Sequence, residues 1–294
     1  MARGMRAFLQ RWWHGRDPIL GIDVRDDSIV VSDINLSGSN RWLKISHGSR
    51  EPGSRGPLVD PDLFISNIRE FIAAGPLPIE RCAVALPESL TYMASVTLPK
   101  NIPQKAEDVR YEAALEGAYL RRHDVRGAIY PLCEDGSRVL VVAVKIAEVE
   151  ALESALRLIG LEVSCLTPRV FALHHLVALS GVQVTADLVA YCDNTATIPQ
   201  FHLFQRPFYL ASARGWPDFL KALERIAYSE RSENKRGGIS LILHGQHPTE
   251  IGPQHRDLFY QVVNLTTVPL PRGLTLAQDQ VVSAALSLWE TRHV

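Results

Sequence analysis

The chain has 294 residues, of which 46% are hydrophobic and 21% are charged. This composition is that of a globular protein, and the length suits one large domain or two of ordinary size. The 31 Lys and Arg residues nearly balance the 32 Asp and Glu residues, so the net charge is −1. No overall basic field therefore favours direct binding of nucleic acid.

No apolar run approaches the ~20 residues of a membrane-spanning helix, and residues 139–147 are interrupted by Lys145. Residues 1–17 combine arginines with Trp12 and Trp13 but lack the apolar region and cleavage site of a signal peptide. We interpret them as a basic, aromatic leader that packs on its own domain or lies on a membrane surface.

The scattered cysteines predict buried thiols in a reducing cytoplasm; they are Cys82, Cys133, Cys165 and Cys192.

Residues 19–36, ILGIDVRDDSIVVSDINL, predict the hairpin around which the first half is organised. Asp23 stands in its first apolar strand, and Arg25, Asp26 and Asp27 occupy its turn. An acidic residue in an apolar strand before a tight turn is typical of the phosphate-binding hairpin of the actin-like ATPase fold. Such a turn needs small residues so that backbone N–H groups reach phosphate oxygens. The segment thus has the shape of a nucleotide site without its chemistry.

The first half continues as an α/β layer of the ribonuclease-H-like type. A third strand is predicted at 41–45, a helix from Asp60 as N-cap to Gly75, and a buried strand at 83–86. Residues of about 87–162 predict an inserted strand-helix-strand-strand-helix subdomain, after which a strand at 161–166 returns to the layer. The order of these elements, rather than any single one, indicates the fold.

The strand pattern restarts after residue 183, so the architecture is used twice. Its predicted elements are strands at 188–192, 201–204, 208–211, 239–243 and 263–268, and helices at 216–228, 253–260 and 275–291. We therefore predict an α/β protein with a duplicated actin-like (ribonuclease-H-like) fold. Its predicted parts are the leader 1–17, a first domain 18–182 and a second, reduced domain 183–294.

Four segments in a fixed order resemble a known family: LGIDVRDDSIVVSDI, VALPESLTYMASVTLP, DVRYEAALEGAYL and VLVVAVKIAEVEALESALRLIGLEVSCLTPRVFAL. They look like PilM, the cytoplasmic actin-like protein of type IV pilus and competence machinery, and most like its short, diverged HofM-like members. The resemblance covers residues 18–182 well and the second half weakly. No single motif is specific, but their order and spacing are.

The resemblance implies a nucleotide site, and this chain departs from the family at that site. Glycine stands in the family's first phosphate loop where this chain has Arg25, so only Asp23 and Ser28 remain there. The second loop keeps Asp193 without its glycine, and the adenosine segment keeps Gly245 alone. These four remnants are the only cofactor-binding candidates.

Asp26 and Asp27 replace small hydroxyl residues of the family and disfavour phosphate. Two like charges about 4 Å apart repel by ~4 kcal/mol at an effective dielectric near 20, on the order of a thousandfold in affinity. Arg25 or a bound Mg²⁺ offsets part of that repulsion. We predict a pseudo-ATPase without catalytic residues, for which ATP and Mg²⁺ are ligands only if the degenerate site still binds them.

The resemblance also implies a cytoplasmic scaffold, peripheral to the inner membrane, that binds the short cytosolic tail of a PilN-like membrane protein. Contacts with other platform proteins, self-association into a ring, and a role in pilus assembly or DNA uptake belong to the same expectation. A groove framed by the two crossovers between the layer and its insert would hold the tail. The predicted partner-binding residues are Pro87, Glu88, Ser89, Cys165, Thr167 and Pro168.

Two alternatives stay open: an ATP-binding ATPase of the same machinery, and the cytoplasmic domain of a type II secretion platform protein. The first needs intact phosphate loops, and the second normally continues into a transmembrane helix. His244, His247 and His255 are near one another but lack carboxylate or cysteine at ligand spacing. We interpret them as solvated loop residues and predict no metal site.

Overall fold

The computed structural model describes residues 19–34, 40–47, 58, 60–75, 78–103, 105–133, 135–184, 186, 188–195, 199–205, 208–230, 239–245, 259–268 and 275–288. The leader predicted at 1–17 and most of the helix predicted at 253–260 lie outside these ranges. Contacts divide the chain into two units. The first comprises the described parts of Met1–Ser89, Ala147–His175 and Pro271–Val294, and the second those of Leu90–Ile146 and Leu176–Leu270.

Thirteen strands and six α-helices make up the described part of the chain. In order they are β1 (Ile19–Val24), β2 (Ser28–Ile34), β3 (Asn40–Ser46), α1 (Pro61–Ala73), β4 (Arg81–Leu86), β5 (Thr91–Thr97), α2 (Glu107–Gly117), β6 (Val125–Pro131), β7 (Arg138–Lys145), α3 (Ile146–Leu158), β8 (Glu162–Pro168), α4 (Arg169–Ser180), β9 (Leu188–Asn194), β10 (Gln200–Gln205), β11 (Phe208–Arg214), α5 (Gly215–Glu230), β12 (Ile239–Gly245), β13 (Phe259–Asn264) and α6 (Val281–Ser287). A 3-10 turn, Gln278–Gln280, leads into α6.

Two five-stranded sheets repeat one topology. The first has the order β3-β2-β1-β4-β8 and the second the order β11-β10-β9-β12-β13. In each, the opening strand is antiparallel to the second strand and parallel to the fourth. The insert forms a third, antiparallel sheet in the order β5-β7-β6, and its strand-helix-strand-strand-helix sequence is confirmed. The predicted duplicated fold is therefore present.

The first sheet is buried on both faces at its centre, because every residue of β1 and β2 is buried. Helix α6 packs on β1, β2 and β4. Gly21 makes this approach possible, since a Cβ there would lie 1.8 Å from the backbone oxygen of Ser283. The hydroxyls of Ser32 and Ser283 are 2.7 Å apart across the same contact. Residues 275–288, predicted as part of the second domain, thus pack on the first sheet.

The second unit has an aromatic core and a separate core beneath α2. The Phe201 and Phe219 rings stack at 4.3 Å between centroids, and Trp216 and Phe259 pack around them. The insert sheet buries a face of small and branched residues against α2. Its strands and α2 cluster with the second unit, whereas we predicted them inside the first domain.

Local hydrogen bonds and strand pairing explain where several of these elements begin and end. Helix α1 begins as predicted, because Asp60 accepts a 2.9 Å hydrogen bond from the Leu63 N–H. Helix α2 ends at Gly117, since Tyr119 takes a left-handed φ of 59° and the Leu120 N–H donates to the Leu115 carbonyl. Strand β13 lies earlier than predicted, where it pairs with β12.

Candidate functional site

Asp23 lies near the carboxyl end of β1 and is completely buried. Arg25 donates from Nε to Asp23 Oδ2 at 2.7 Å. Arg169 donates from Nε to Oδ1 at 2.8 Å and from Nη2 to Oδ2 at 3.3 Å. Both arginine side chains are almost fully buried. Each oxygen of this carboxylate therefore receives a guanidinium N–H.

The topology explains why these residues meet. Strands β1, β4 and β8 are parallel, so their carboxyl ends reach the same edge of the sheet. Arg169 is the first residue of α4 and directly follows β8. Arg25 directly follows β1, and its backbone N–H donates to the Ser28 carbonyl at 2.8 Å to close the hairpin turn. Both guanidinium groups thus reach Asp23 because Arg25 and Arg169 directly follow strands that end beside it.

Asp279, in the 3-10 turn before α6, extends this ion-pair network. Arg25 Nη1 donates to Asp279 Oδ1 at 2.9 Å, and its Nη2 donates to the Asp279 carbonyl. Lys44 of β3 donates to Asp279 Oδ2 at 3.0 Å. Burial works to raise the pKa of Asp279, but the hydrogen bonds and charges of Lys44 and Arg25 outweigh it, so the pKa is lowered. We call Asp23, Arg25, Lys44, Arg169 and Asp279 the Asp23 cluster.

The rest of the hairpin turn is engaged in short local bonds. Asp26 and Asp27 are exposed, in contrast to Arg25 beside them. The Ser28 hydroxyl donates to Asp27 Oδ1 at 2.8 Å, so this remnant is turned toward the acidic turn. Ser89, beyond β4, donates from its hydroxyl to Asp26 Oδ1 at 2.5 Å. The turn is therefore tied to the crossover that follows β4.

The second hairpin places a buried aspartate at the corresponding point. Asp193 Oδ1 accepts from the Thr195 N–H at 3.2 Å and from the Thr195 hydroxyl at 2.7 Å. His244 Nδ1 lies 3.1 Å from the same oxygen. His244 is opposite Asp193 in the β9–β12 register and is completely buried. Its interpretation as a solvated loop residue was wrong, because β12 extends through it; His247 and His255 lie outside the described residues.

Gly245, the last remnant, has a conformational reason to be glycine. Its φ is +100°, and a Cβ would lie 2.7 Å from the Asn194 carbonyl oxygen. A side chain at this position is therefore disfavoured both by backbone conformation and by space. The glycine serves the close approach of β12 to β9.

Five of the six predicted partner-binding residues lie at the carboxyl ends of β4 and β8, whereas Cys165 lies in the middle of β8, opposite Ala83. Residues 165–168, predicted as a crossover, belong to β8 itself, and Pro168 at its end pairs with Leu86 at the end of β4. Pro87, Thr167 and Pro168 are buried, and a partner would not touch them directly. The accessible members are Ser89, which is exposed, and Glu88 and Cys165, which are partly exposed.

Sequence reasoning found the anchors of both sites and missed their partners. It missed Lys44, Arg169 and Asp279 in the first, and it misplaced His244 in the second. Arg169 had a usable signal, because it stands shortly after the strand predicted at 161–166 to return to the layer that contains Asp23. Asp279 had none, since it is distant in sequence and stands in a turn without a pattern.

Among the described residues, no group of three or more His, Cys, Asp or Glu side chains is placed to hold a metal ion. Within the same ranges, no helix is both long and apolar enough to cross a membrane. What the two hairpins share is a buried carboxylate whose hydrogen-bonding groups come from the chain itself.

Comparison with known proteins finds similarity in structure. No protein-family model matches the chain, and no curated protein matches it in sequence. A chain of a PilM–PilN type IV pilus biogenesis complex superposes with a TM-score of 0.66 at 17% identity, covering 93% of this chain and 98% of that chain. The cytoplasmic domain of EpsL, an inner-membrane component of the Vibrio cholerae type II secretion system, has a TM-score of 0.54 at 12% identity, covering 93% and 96%.

A Bacteroides thetaiotaomicron protein with an actin-like ATPase fold and unknown function has a TM-score of 0.50 at 9% identity, covering 92% of this chain and 97% of that one. Together with the repeated sheet topology, these similarities define the chain as a protein of the actin-like ATPase fold. At such identities they establish the fold and leave the function to the site.

Proposed function

We propose that the protein is a PilM-like scaffold of a type IV pilus or DNA-uptake platform whose first nucleotide loop has become an internal ion-pair cluster. One observation carries this proposal: both oxygens of buried Asp23 accept hydrogen bonds from the buried guanidinium groups of Arg25 and Arg169. A phosphate-bound Mg²⁺ would need that carboxylate as a direct or water-mediated ligand. Both oxygens of this carboxylate are instead hydrogen-bonded to Arg25 and Arg169.

The energetics oppose nucleotide binding at this hairpin. Binding at Asp23 would require breaking a buried, hydrogen-bonded ion pair, and separating such a pair costs about 3–5 kcal/mol. Because about 1.4 kcal/mol corresponds to tenfold in affinity, the loss is on the order of a hundredfold to a thousandfold. Asp26 and Asp27 at the exposed turn add repulsion for a triphosphate. We therefore infer a pseudo-ATPase in which ATP and Mg²⁺ are not working cofactors.

The function then rests on binding a partner, as a HofM-like member of the family would. We propose the short cytosolic tail of a PilN-like inner-membrane protein as that partner, beside Glu88, Ser89 and Cys165. The supporting observation is that Glu88 and Ser89 are accessible just beyond the end of β4, beside the neighbouring strand β8 in which Cys165 is partly exposed. The location would be the cytoplasmic face of the inner membrane, with other platform proteins and further copies nearby.

A binding assay with a synthetic tail tests the partner. The tail is a synthetic peptide with the short cytosolic segment of a PilN-like membrane protein, and its affinity is measured by fluorescence anisotropy. Ser89→Trp is expected to weaken binding tenfold or more, because a bulky side chain obstructs the tail beside the end of β4. Ser154→Trp, at an exposed position of α3, is the matched control, and Ser89→Ala separates bulk from loss of the bond to Asp26. No tail binding, or equal binding by all variants, would refute the site.

A second candidate is the cytoplasmic domain of a type II secretion platform protein. The similarity to the EpsL cytoplasmic domain supports it. The two candidates differ in the partner tail that binds, so tails from both kinds of machine belong in the same assay. An ATPase of the pilus machinery is the remaining alternative; hydrolysis of Mg-ATP above a protein-free blank would favour it.

A further inference from the structure

Strand β6 (Val125–Pro131) is an open edge of the insert sheet. It is the outer strand in the order β5-β7-β6, and no strand in the described ranges pairs with its outer side. The opposite outer strand, β5, lies against β11 of the same unit. Along β6, Val125 is buried and Ile129 partly exposed, while the remaining residues are exposed. Exposed edges of this kind template pairing with another strand.

The hydrogen bonds at the two ends of β6 fix which backbone groups face outward. The Ile146 N–H donates to the Asp124 carbonyl at 3.0 Å, and the Leu132 N–H donates to the Arg138 carbonyl at 2.8 Å. Because antiparallel residues alternate between bonded and non-bonded pairs, even-numbered residues of β6 bond to β7. The residues with outward backbone groups are Val125, Gly127, Ile129 and Pro131.

We propose that β6 pairs antiparallel with β6 of a second copy of this chain, about a twofold axis at Ala128. In this register Gly127 and Ile129 of opposite copies exchange N–H···O=C bonds in both directions. The Val125 N–H of each copy donates to the Pro131 carbonyl of the other. The two three-stranded sheets become one continuous sheet, with a self-complementary contact as a twofold interface requires.

The side chains suit this register. On the face away from α2, Arg126 stands opposite Tyr130 of the second copy, a cation–π pair repeated by symmetry; Tyr130 is 49% exposed. On the α2 face, Ile129 stands opposite Gly127 of the second copy, which leaves room for its side chain. Ala128 meets its own copy at the axis, where non-bonded pairs bring Cβ atoms closest.

Three residues of β6, Pro131, Arg126 and Gly127, have roles other than pairing with a second copy, and none of them excludes that pairing. Proline and charge at an edge commonly protect it from association. Pro131, however, lies at the strand end and removes only the last outward donor, and Arg126 faces an aromatic ring rather than another cation. Gly127 is needed within the chain itself, because a Cβ there would lie 2.3 Å from the Val142 oxygen. The proposal does not depend on the state of the nucleotide site.

Disulfide trapping tests the register directly. In a Cys133→Ser background, which removes a partly exposed thiol, Ala128→Cys places two thiols at the axis within bonding distance. Mild oxidation is expected to cross-link this variant at least tenfold faster than Ala151→Cys, an exposed alanine of α3. Equal rates would mean random collision and would overturn the proposal.

Sedimentation velocity of the full chain is the second measurement. A small edge interface predicts a weak dimer that forms only at high protein concentration. Ala128→Lys should weaken it at least tenfold, because like charges would face each other at the axis, while Ala151→Lys should leave it unchanged. A chain that stays monomeric at several hundred micromolar, or a dimer indifferent to Ala128→Lys, would overturn the proposal. If a tail peptide instead protects Gly127 and Ile129 from hydrogen exchange in a monomer, the occupant is that peptide and the proposal fails.

Discussion

The two opening hairpins occupy equivalent places in sheets of the same topology, yet they satisfy their buried aspartates differently. Asp23 pairs in register with Ala85, which offers no side-chain hydrogen bond, and its cations arrive from Arg25 and Arg169. Asp193 pairs in register with His244, whose Nδ1 lies 3.1 Å from Oδ1, and Thr195 donates two hydrogen bonds to the same oxygen. The duplicated backbone fixes where a carboxylate lies, and the residues at neighbouring strand ends decide what holds it.

The hairpins also differ in what covers them. Two residues before the aspartate, β1 has Gly21 where β9 has Tyr191. Gly21 allows the backbone of α6 to approach closely. At the equivalent position Tyr191 carries a large side chain, whose ring contacts the Phe204 ring edge-on at 5.5 Å between centroids. The first hairpin is thereby joined to the C-terminal segment twice, through α6 and through Asp279.

Alanine substitution of each aspartate in turn should distinguish the two hairpins most clearly. Asp23→Ala leaves two buried guanidinium groups without their shared carboxylate, so we expect a loss of about 3–5 kcal/mol in the free energy of unfolding. Asp193→Ala removes two hydrogen bonds donated by Thr195 and the 3.1 Å contact with His244, and should cost only about 1–3 kcal/mol. Urea denaturation followed by circular dichroism measures both. Equal losses would contradict the distinction between the hairpins.

Replacing Gly21 tests how closely α6 approaches the first hairpin. Gly21→Ala forces the helix backbone away from β1, with an expected cost of about 1–3 kcal/mol and faster hydrogen exchange in residues 281–287. Gly75→Ala is the control, because its Cβ chiefly meets the movable end of the Arg41 side chain. Unchanged exchange in α6 would show that the contact is looser than the structure indicates.

Acid titration separates two carboxylates of the first unit with opposite shifts. The lowered pKa of Asp279 means that its stabilisation is present above its unfolded pKa and is lost as pH falls through the folded value. Burial, partly offset by the charge of Arg41, raises the pKa of Asp33, so its ionisation opposes folding as pH rises. Asp279→Asn should therefore reduce stability at pH 7 and have little effect near pH 2, while Asp33→Asn should increase it at pH 7. The reverse pattern in pH-dependent unfolding would refute these assignments.

The smallest expected effect is a difference in thiol labelling rate among the four cysteines of the native protein. Burial raises the pKa of Cys82 to about 12 and that of Cys165 to about 11, and Cys192 is buried in the second sheet. Cys133 is partly exposed and should react first with a chromogenic disulfide reagent in the native protein. Mass spectrometry identifies the labelled position, and Cys133→Ser should abolish the fast phase. Fast labelling of Cys82 would show that β4 opens readily.

The sequence allowed the fold to be predicted because apolar periodicity and strand order are local, and each half repeats them. It also located Asp23 and Asp193, since an acid inside an apolar strand is visible without a structure. It could not locate Asp279, whose position depends on how α6 packs on Gly21. His244 was misjudged because the sequence GQHP after it indicates a loop, whereas the strand continues to Gly245.

Isothermal titration of the native chain with ATP and Mg²⁺ tests the central claim most directly, because it asks whether nucleotide can compete with Arg25 and Arg169 for Asp23. We predict no measurable heat of binding up to millimolar nucleotide. Saturable binding at micromolar concentrations would show that the Asp23 cluster opens to admit nucleotide and would contradict the pseudo-ATPase proposal.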